Sequence, residues 1–339
     1  MTGAPAGSCD LVVTGIGVAL PWTAKAERAL TSGFGAVPAD GSWFDVSREL
    51  GLRGYRYLPP AAHYLLAAAR RAVADAGGME HQPPNCRAAV LGTNRALASM
   101  FAEIDQTVSS THGEHLSPAS APYFAVNVIG TRLCIEHQLR AFAMTITSPL
   151  VAALEAIEAA SRAARIGRCG TALVAAMEHS GVPGAPDAPA EQGAAVLVLE
   201  PSGVASGRAA AVRGRVGART FFAPPSRVER AEERERLVRT IGAWLDGQDP
   251  QGRAAIHPVL DASPVGKAIA EALHERAGDR VVHPVTTAGA GSLTPMVRVA
   301  GLLATGVGDA VVVAGTGEGN VGLAWLSPGA TGAGGDEPC

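Results

Sequence analysis

The chain repeats one short pattern: Thr147-Ser148-Pro149-Leu150-Val151 returns as Leu293-Thr294-Pro295-Met296-Val297 almost half the chain later. In both places a hydroxyl residue precedes a proline, which is typical of the start of a helix. An apolar helix, a glycine and two apolar strands follow each time. Because a solenoid needs at least three copies, two copies indicate a duplicated domain half. The sequence therefore predicts an α/β protein of two related halves, with Ser148 and Thr294 capping two central helices.

The composition narrows the possible functions. The 339 residues have a formal net charge of −3 and only 4% aromatic residues, which gives no case for nucleic-acid binding. No apolar run reaches the ~20 residues of a membrane span, and residues 1–9 lack the pattern of a secretory signal. The five cysteines show no CxxC spacing, which favours reduced thiols. We expect a cytoplasmic protein that binds neither nucleic acid nor membrane.

Three motifs suggest a cofactor, a metal or a reactive thiol, but each has a simpler explanation. An apolar strand follows the glycine-rich residues 315–320, whereas a phosphate loop needs a helix there. His112, Glu114 and His115 have no further ligands at the spacing of a zinc site. Cys134 lies among apolar residues, as inert core thiols do. The sequence predicts no cofactor and no metal.

Four stretches, in their order along the chain, resemble the ketosynthases, the condensing enzymes of the thiolase fold. Residues 12–17 are similar to V-x-T-G-x-G, 67–77 to A-A-x-x-A…D-A-G, 173–178 to a strand ending in G-G-x-E, and 191–200 to G-E-G-A-A-x-L-V-L-E. The resemblance implies a thiolase fold whose two duplicated halves form a layered α-β-α-β-α sandwich. The expected parts are residues 10–203, residues 204–328 and a disordered tail over residues 329–339.

The resemblance also shows what is missing. An active ketosynthase carries its nucleophilic cysteine at the start of a central helix, where the helix dipole favours the thiolate, together with two histidines. These positions fall on Ile146, on His257, which we expect to end a strand before Pro258, and on Ser292. Removing the nucleophile of a triad enzyme costs up to about 10⁶ in rate. A ketosynthase-like chain without its cysteine resembles the chain-length factor of type II polyketide synthases.

That resemblance implies no catalytic residue of its own. It implies a heterodimer with a cysteine-bearing ketosynthase, and a tunnel at their interface for a chain tethered to the phosphopantetheine of an acyl carrier protein. Bulky side chains ahead of the lost nucleophile would line this tunnel, although ordinary core packing is the alternative for each. They are Met100, Phe101, Ile104, Tyr123 and Phe124.

A second hypothesis is an enzyme that kept the fold and changed its chemistry. It would be an acyltransferase or a cyclase with His257 as the base. Asp261, or a hydroxyl of Thr147 or Ser292, would assist it. A plain scaffold or a carrier-binding module is a third possibility. The sequence leaves the product open, both in its length and between an aromatic polyketide and a reduced polyene.

Overall fold

The protein is described here by a computed structural model that covers residues 11–31, 42–111, 113–180, 189–289 and 291–329. His112, Cys9, Cys339 and residues 330–339 of the expected tail lie outside the described residues. The first half of the chain contains β1 (Leu11–Ala19), α1 (Val46–Glu49), α2 (Pro60–Asp75), β2 (Arg87–Thr93), α3 (Ala98–Thr111), α4 (Thr131–Glu136), β3 (Phe142–Thr147), α5 (Ala152–Arg165), β4 (Thr171–His179) and β5 (Gln192–Pro201).

The second half repeats the succession of strands, with fewer helices between them. It contains α6 (Ser202–Gly207), β6 (Gly214–Phe222), α7 (Ala231–Gln248), β7 (Ala255–Leu260), α8 (Pro264–Ala277), β8 (Thr286–Thr287), α9 (Leu293–Thr305), β9 (Ala310–Gly315) and β10 (Asn320–Pro328). The boundary expected between residues 203 and 204 falls inside α6.

The described strands form one sheet in the order β3-β2-β4-β5-β1-β6-β10-β9-β7-β8. Counted inwards from one end of the sheet, the first half gives β3-β2-β4-β5-β1. Counted inwards from the other end, the second half gives β8-β7-β9-β10-β6, which is the same order with each strand number raised by five. The pairing agrees: β2 is parallel to β3 and β4, as β7 is to β8 and β9. Among the described strands, the two halves of the sheet are joined where Val12 and Val13 of β1 pair with β6.

The helices form three layers around the two halves of the sheet. α2 covers the strands of the first half, and α7 and α8 cover those of the second. α5 and α9 lie between the halves, where they contact each other and strands from both sides. One buried cluster accordingly combines α5 and α9 with β1, β4, β9 and β10. The expected layered sandwich of two duplicated halves is confirmed.

Small residues allow the start of α5 to approach the sheet. A Cβ atom added to Gly92 of β2 would lie 2.5 Å from the backbone carbon of Ala152, closer than real contacts allow. Ala152, Ala153 and Ala156 are fully buried on the same helix. This close packing fixes the junction between β3 and α5, where a ketosynthase would hold its nucleophile.

Candidate functional site

The junction between β3 and α5 differs from the sequence prediction in where the helix begins. α5 starts at Ala152, and its N-cap residue is Val151, which provides no side-chain cap. Ser148 lies four residues before the helix, and its Oγ donates to Glu155 Oε2 at 2.6 Å. The prediction that Ser148 caps the helix, with Pro149 at its first position, is therefore wrong. The chain instead makes a tight turn between the strand and the helix.

Leu150 lies at this turn and has an unusual backbone. Its φ is +57°, in the left-handed region that L-residues other than asparagine and aspartate rarely adopt. The side chain is only 1% exposed, so packing holds it in place. Ile146 lies further back, inside β3, where it pairs with Gly92 and is half-buried. The residue with left-handed backbone in the turn before the helix is thus Leu150, whereas Ile146 lies in a strand.

No thiol of the described residues lies near this junction. Cys86, Cys134 and Cys169 are the free cysteines in that part of the chain. Cys86 ends a short helix before β2, Cys134 lies in α4, and Cys169 precedes β4. Burial raises the pKa of the Cys134 thiol, which lowers its reactivity at neutral pH.

The start of α9 is capped by two buried glutamates that the sequence analysis did not assign to this role. Glu178, near the end of β4, accepts hydrogen bonds from the N–H and the Oγ of Ser292, both at 2.8 Å. Glu191, just before β5, accepts from the N–H groups of Leu293 and Thr294 at 3.0 and 2.9 Å, and from the Thr294 hydroxyl. α9 begins at Leu293, so the prediction that Thr294 caps it is wrong.

Glu178 also ties α9 to the chain that leads into α3. It accepts from the Thr93 hydroxyl at 3.1 Å and from the N–H groups of Asn94 and Arg95 at 2.6 and 2.7 Å. The residue is fully buried. One carboxylate thus joins the end of β2, the end of β4 and the start of α9. The glutamate of the resemblance motif at residues 173–178 was the only available signal for it.

The pKa values of both glutamates are raised. Burial, and then the charge of Glu191, raise the pKa of Glu178 to about 7, against the opposing effect of its N–H and hydroxyl donors. Burial likewise raises the pKa of Glu191. Both side chains flank Gly291, where a Cβ atom would lie 2.5 Å from Glu191 Oε2 and 2.6 Å from Glu178 Cδ. Glu178 therefore holds a proton more readily than an ordinary carboxyl group.

His257 does not end its strand as predicted. It is the third residue of β7, pairs with Val312 and is half-buried. Burial, and then the charge of Arg298, lower its pKa to about 4. The imidazole is therefore neutral and only weakly basic at neutral pH. Asp261, which follows β7, accepts from the Ser263 hydroxyl and from the Gly317 N–H at 2.8 Å.

The three positions that the resemblance assigns to catalytic residues lie in three separate places: Ile146 in β3, His257 in β7 and Ser292 before α9. Ser292 is fully buried and its hydroxyl is bound by Glu178 rather than by a second candidate catalytic residue. Among the described residues, no three His, Cys, Asp or Glu side chains form a group that could hold a metal ion. The contacts of Glu178, Glu191 and Ser292 thus form a buried structural junction at the start of α9.

The expected tunnel residues divide into two groups. Tyr123 is 9% exposed and belongs to the core beside α2, and Met100 packs against that core. Phe101 and Phe124 are 41% and 58% exposed, and their ring centroids lie 6.2 Å apart. Ile104 lies half-buried on α3. Core packing therefore explains Tyr123 but leaves the two phenylalanines without a covering layer in the described part of this chain.

Comparisons with known proteins agree with this architecture. The family model described as beta-ketoacyl synthase, N-terminal domain, matches residues 49–196. No curated protein sequence matches the chain. Among the described helices, none is long and apolar enough to cross a membrane.

Several solved structures have the same fold. The ishigamide ketosynthase/chain length factor gives a TM-score of 0.75 at 20% identity over 94% of this chain and 99% of that one. A type II polyketide synthase acyl-carrier protein in complex with its ketosynthase bound to the hexaketide, AntDE:AntF, gives 0.73 at 16% identity with the same coverage. The oxazolomycin ketosynthase domain OzmH KS8 of Streptomyces albus JA3453 gives 0.61 at 15% identity, over 97% and 98% of the two chains.

These findings define a class by its fold: the chain has the fold of the ketosynthase structures, and its residues 49–196 match the beta-ketoacyl synthase N-terminal domain. Within that class it is similar to a ketosynthase/chain-length-factor structure. At these identities the likeness establishes the fold, and the function has to be argued from this chain's own residues.

Proposed function

We propose that this chain is a non-catalytic ketosynthase-like subunit, a chain-length factor, that pairs with a cysteine-bearing ketosynthase and shapes the tunnel for its growing chain. The observation that carries the proposal is the junction between β3 and α5. Residues 146–152 contain no thiol, and the residue with left-handed backbone there is Leu150. An alkyl side chain cannot form a thioester, and loss of a nucleophile costs up to about 10⁶ in rate.

The start of α9 supports the same conclusion. A ketosynthase needs an imidazole there to hold the developing enolate, and this chain has Ser292. The Ser292 hydroxyl is fully buried and donates to Glu178, so it serves the fold. Replacing only one of the two lost groups would therefore leave the reaction incomplete.

The alternative, an enzyme with His257 as its base, has less support. A general base works best when its pKa lies near the operating pH, and the pKa of His257 is lowered to about 4. The carboxylate of Asp261, its expected assistant, is bound by Ser263 and Gly317. The Ser292 hydroxyl is bound by Glu178. Each proposed assistant except Thr147 therefore has a structural partner already.

The outer strand β3 supports a protein partner. It lies at one end of the sheet and pairs with β2 alone among the described strands. Ala143, Met144 and Thr147 are exposed on it. The strand has neither a charged residue nor a proline, which are the usual means of preventing edge-to-edge pairing. A ketosynthase of the same fold could continue the sheet by pairing at this edge.

The segment between β2 and the end of β3 also has an unusual share of exposed apolar side chains. Of the twelve large apolar residues exposed in the described chain, five lie there: Phe101, Val108, Phe124, Ile135 and Met144. Exposed apolar groups in one region mark an interaction surface. We assign the tunnel wall to Phe101 and Phe124, with Met100 and Ile104 beside them on α3.

The acyl carrier protein is the second partner of the proposal, because it would deliver the phosphopantetheine-tethered chain to the heterodimer. A cytoplasmic location is favoured by the free cysteines of the described residues.

Co-expression tests the proposal directly. The chain is co-expressed with a cysteine-bearing ketosynthase, and the complex is analysed by size-exclusion chromatography with light scattering. We expect a one-to-one heterodimer. After incubation with acyl-carrier thioesters, intact-mass spectrometry is expected to find the acyl adduct on the ketosynthase alone. A stable adduct on this chain would contradict the non-catalytic assignment.

A charge at the sheet edge tests the interface. Met144 is 45% exposed, so Met144→Lys is expected to leave the melting temperature of the isolated chain unchanged. It is expected to weaken the heterodimer by about tenfold or more, since a buried lysine without a partner disrupts the interface. Val307→Lys, at a residue that is 65% exposed after α9, is the matched control. Equal affinities for the two variants would exclude β3 from the interface.

A further inference from the structure

We infer that a groove between the ends of α5 and α7 binds a flat aromatic molecule that carries a negative group, a carboxylate or a phosphate. The groove has a volume of about 500 Å³, which is in the range of small-molecule sites. Two of the chain's four tryptophans, Trp244 and Trp325, line it. None of the described lining residues comes from the junction between β3 and α5 or from the start of α9. The inference therefore goes beyond the proposed function and does not depend on it.

The groove opens beside an edge of β6. β1 pairs with β6 at Val12 and Val13, and Val12 lies opposite Arg215. Within the described chain β1 begins at Leu11, so no described strand pairs with Gly217 on that side. A Cβ atom added to Gly217 would meet no atom within 4 Å. The space beside this edge of the sheet is therefore open.

Two indole rings form the apolar wall of the groove. Trp325 lies directly opposite Gly217 in the antiparallel pair of β10 and β6, so the absent side chain of Gly217 leaves room beside Trp325 on the same face of the sheet. Trp244, on α7, packs against the same outer cluster as Trp325, and both are half-buried. The indole N–H of Trp325 is buried and has no acceptor among the described residues. Indole rings of this kind favour a flat ring system that stacks on them.

Arg165 supplies positive charge to the groove. It is exposed in the last turn of α5, where its Nε donates to the carbonyl oxygen of Ser161 at 3.2 Å. It forms no ion pair with any described residue, so its two Nη groups remain available to a ligand. The described lining residues include a second arginine, Arg215, and neither aspartate nor glutamate. A carboxylate or a phosphate accepts two parallel hydrogen bonds from such a guanidinium group.

These features together select the chemistry of the ligand. The ring faces of two tryptophans favour a flat aromatic molecule over an aliphatic chain. The guanidinium group of Arg165 favours an anion and repels a cation. An aromatic carboxylic acid and a nucleotide share both properties. Nucleic acid would need a larger basic field than a chain of net charge −3 provides.

Isothermal titration calorimetry on the full chain tests the groove with two probes, naphthoate for an aromatic acid and adenosine monophosphate for a nucleotide. We expect saturable binding of at least one probe, and the probe that binds identifies the source of the ligand. The neutral counterparts, naphthamide and adenosine, are expected to bind about tenfold more weakly, because they lack the charged acceptor for Arg165.

Gly217→Leu tests the place of binding. A Cβ atom at this position meets no atom, so the new side chain fills the groove without a clash. We expect binding to weaken by about tenfold or more, with no decrease in the melting temperature. The matched control is Gly203→Leu on α6, at a glycine outside the groove where a Cβ atom also meets no atom. The control is expected to bind as the wild type does.

Arg165→Glu tests the role of the charge. It is expected to abolish the preference for the charged probe over its neutral counterpart, a ratio that a purely structural role would leave unchanged. The matched control is Arg168→Glu, which changes the net charge equally at an exposed residue outside the groove. We expect the control to alter the affinity by less than about twofold, because solvent screens exposed charges.

Three results would overturn the inference. The first is absence of binding of both probes to the wild-type chain. The second is equal weakening by a groove variant and its control, which would show a general effect of charge or folding. The third is binding that appears only after deletion of residues 2–9, which would assign the groove to the start of the chain itself. Melting temperatures measured on each variant separate loss of binding from loss of the fold.

Discussion

Glu178→Gln tests whether the buried glutamate holds a proton in the folded protein. The pKa of Glu178 is raised to about 7 from an ordinary value near 4.5, chiefly by burial and by the charge of Glu191. Between these two values the folded state binds a proton that the unfolded state does not bind. By linkage, the free energy of unfolding then decreases as the pH rises. The contribution is fully present below about pH 4.5 and is lost above about pH 7.

The magnitude follows from the size of the shift. One pKa unit corresponds to about 1.4 kcal/mol, so a shift of this size is worth up to about 3 kcal/mol. The substituted glutamine side chain would be neutral at every pH and would not contribute to the slope. Its amide N–H₂ would face the Arg95 N–H, which now donates to Glu178 at 2.7 Å. An unsatisfied donor costs about 1–3 kcal/mol. We therefore expect the variant to be less stable than the wild type at pH 5 and close to it at pH 8.

Urea unfolding from pH 5 to pH 8, followed by circular dichroism, measures this difference. The informative quantity is the wild-type minus variant free energy of unfolding, because other titrating groups cancel in it. Glu191→Gln is the companion variant, since burial raises that pKa as well. A difference that stays constant with pH would refute the raised pKa. A difference that grows with pH would show that the donors around Glu178 outweigh its burial.

Three further substitutions test two neighbouring aromatic residues and the position that the resemblance assigns to a nucleophile. Tyr123→Ala is expected to lower stability by about 3–5 kcal/mol, because the residue is 9% exposed. Phe124→Ala, at 58% exposure, is expected to cost no more than about 2 kcal/mol and to lengthen the partner's product, read by mass spectrometry beside the melting temperature. Equal loss of stability would assign Phe124 to the core. Ile146→Cys is expected to leave condensation absent in a radiolabelled malonyl assay, because Ile146 lies inside β3 rather than at the turn before α5 and because Ser292 provides no imidazole. Measurable product would contradict this account.

The sequence predicts the architecture well because the repeat is a succession of apolar helices and strands, each recognisable from a short segment of sequence. Each half consists of apolar segments of the right length in the same order, and their burial leaves one arrangement of α5 and α9 between two similar sheets. The Ser-Pro pattern also marks a true helix start at α8, where Ser263 accepts from the Gly266 N–H and Pro264 is the first helical residue. The same pattern is misleading at Ser148, where a turn separates it from α5.

The helix caps of the central pair could not be predicted from local sequence. The groups that cap α9 are Glu178 and Glu191, more than a hundred residues earlier in the chain. Their position depends on the packing of β4 and β5 against the helix. A motif that includes a glutamate does not state which backbone groups its carboxylate will meet.

The sequence predicts a strand that ends at His257, because a proline follows it. In the structure Pro258 lies inside β7 and pairs with Val313. Ile256 and Leu260, two positions before and after Pro258, accept hydrogen bonds from the N–H groups of Val282 and Ala288. Both bonds lie on the edge of β7 that faces β8, and β8 is a short strand. The missing N–H of Pro258 therefore falls in a gap of the ladder, where a proline is tolerated.

The left-handed turn at Leu150 has a consequence for how sharp turns are interpreted in this fold. A leucine in this conformation costs of order 1–3 kcal/mol, and it has no group that could use the strain in a reaction. The cost is therefore met by the close approach of α5 to Gly92 and by the burial of Leu150 itself. The shape of the turn is therefore set by packing of the fold and does not require a reactive side chain. A strained residue before the central helix is consequently no evidence of catalysis; only the identity of its side chain is.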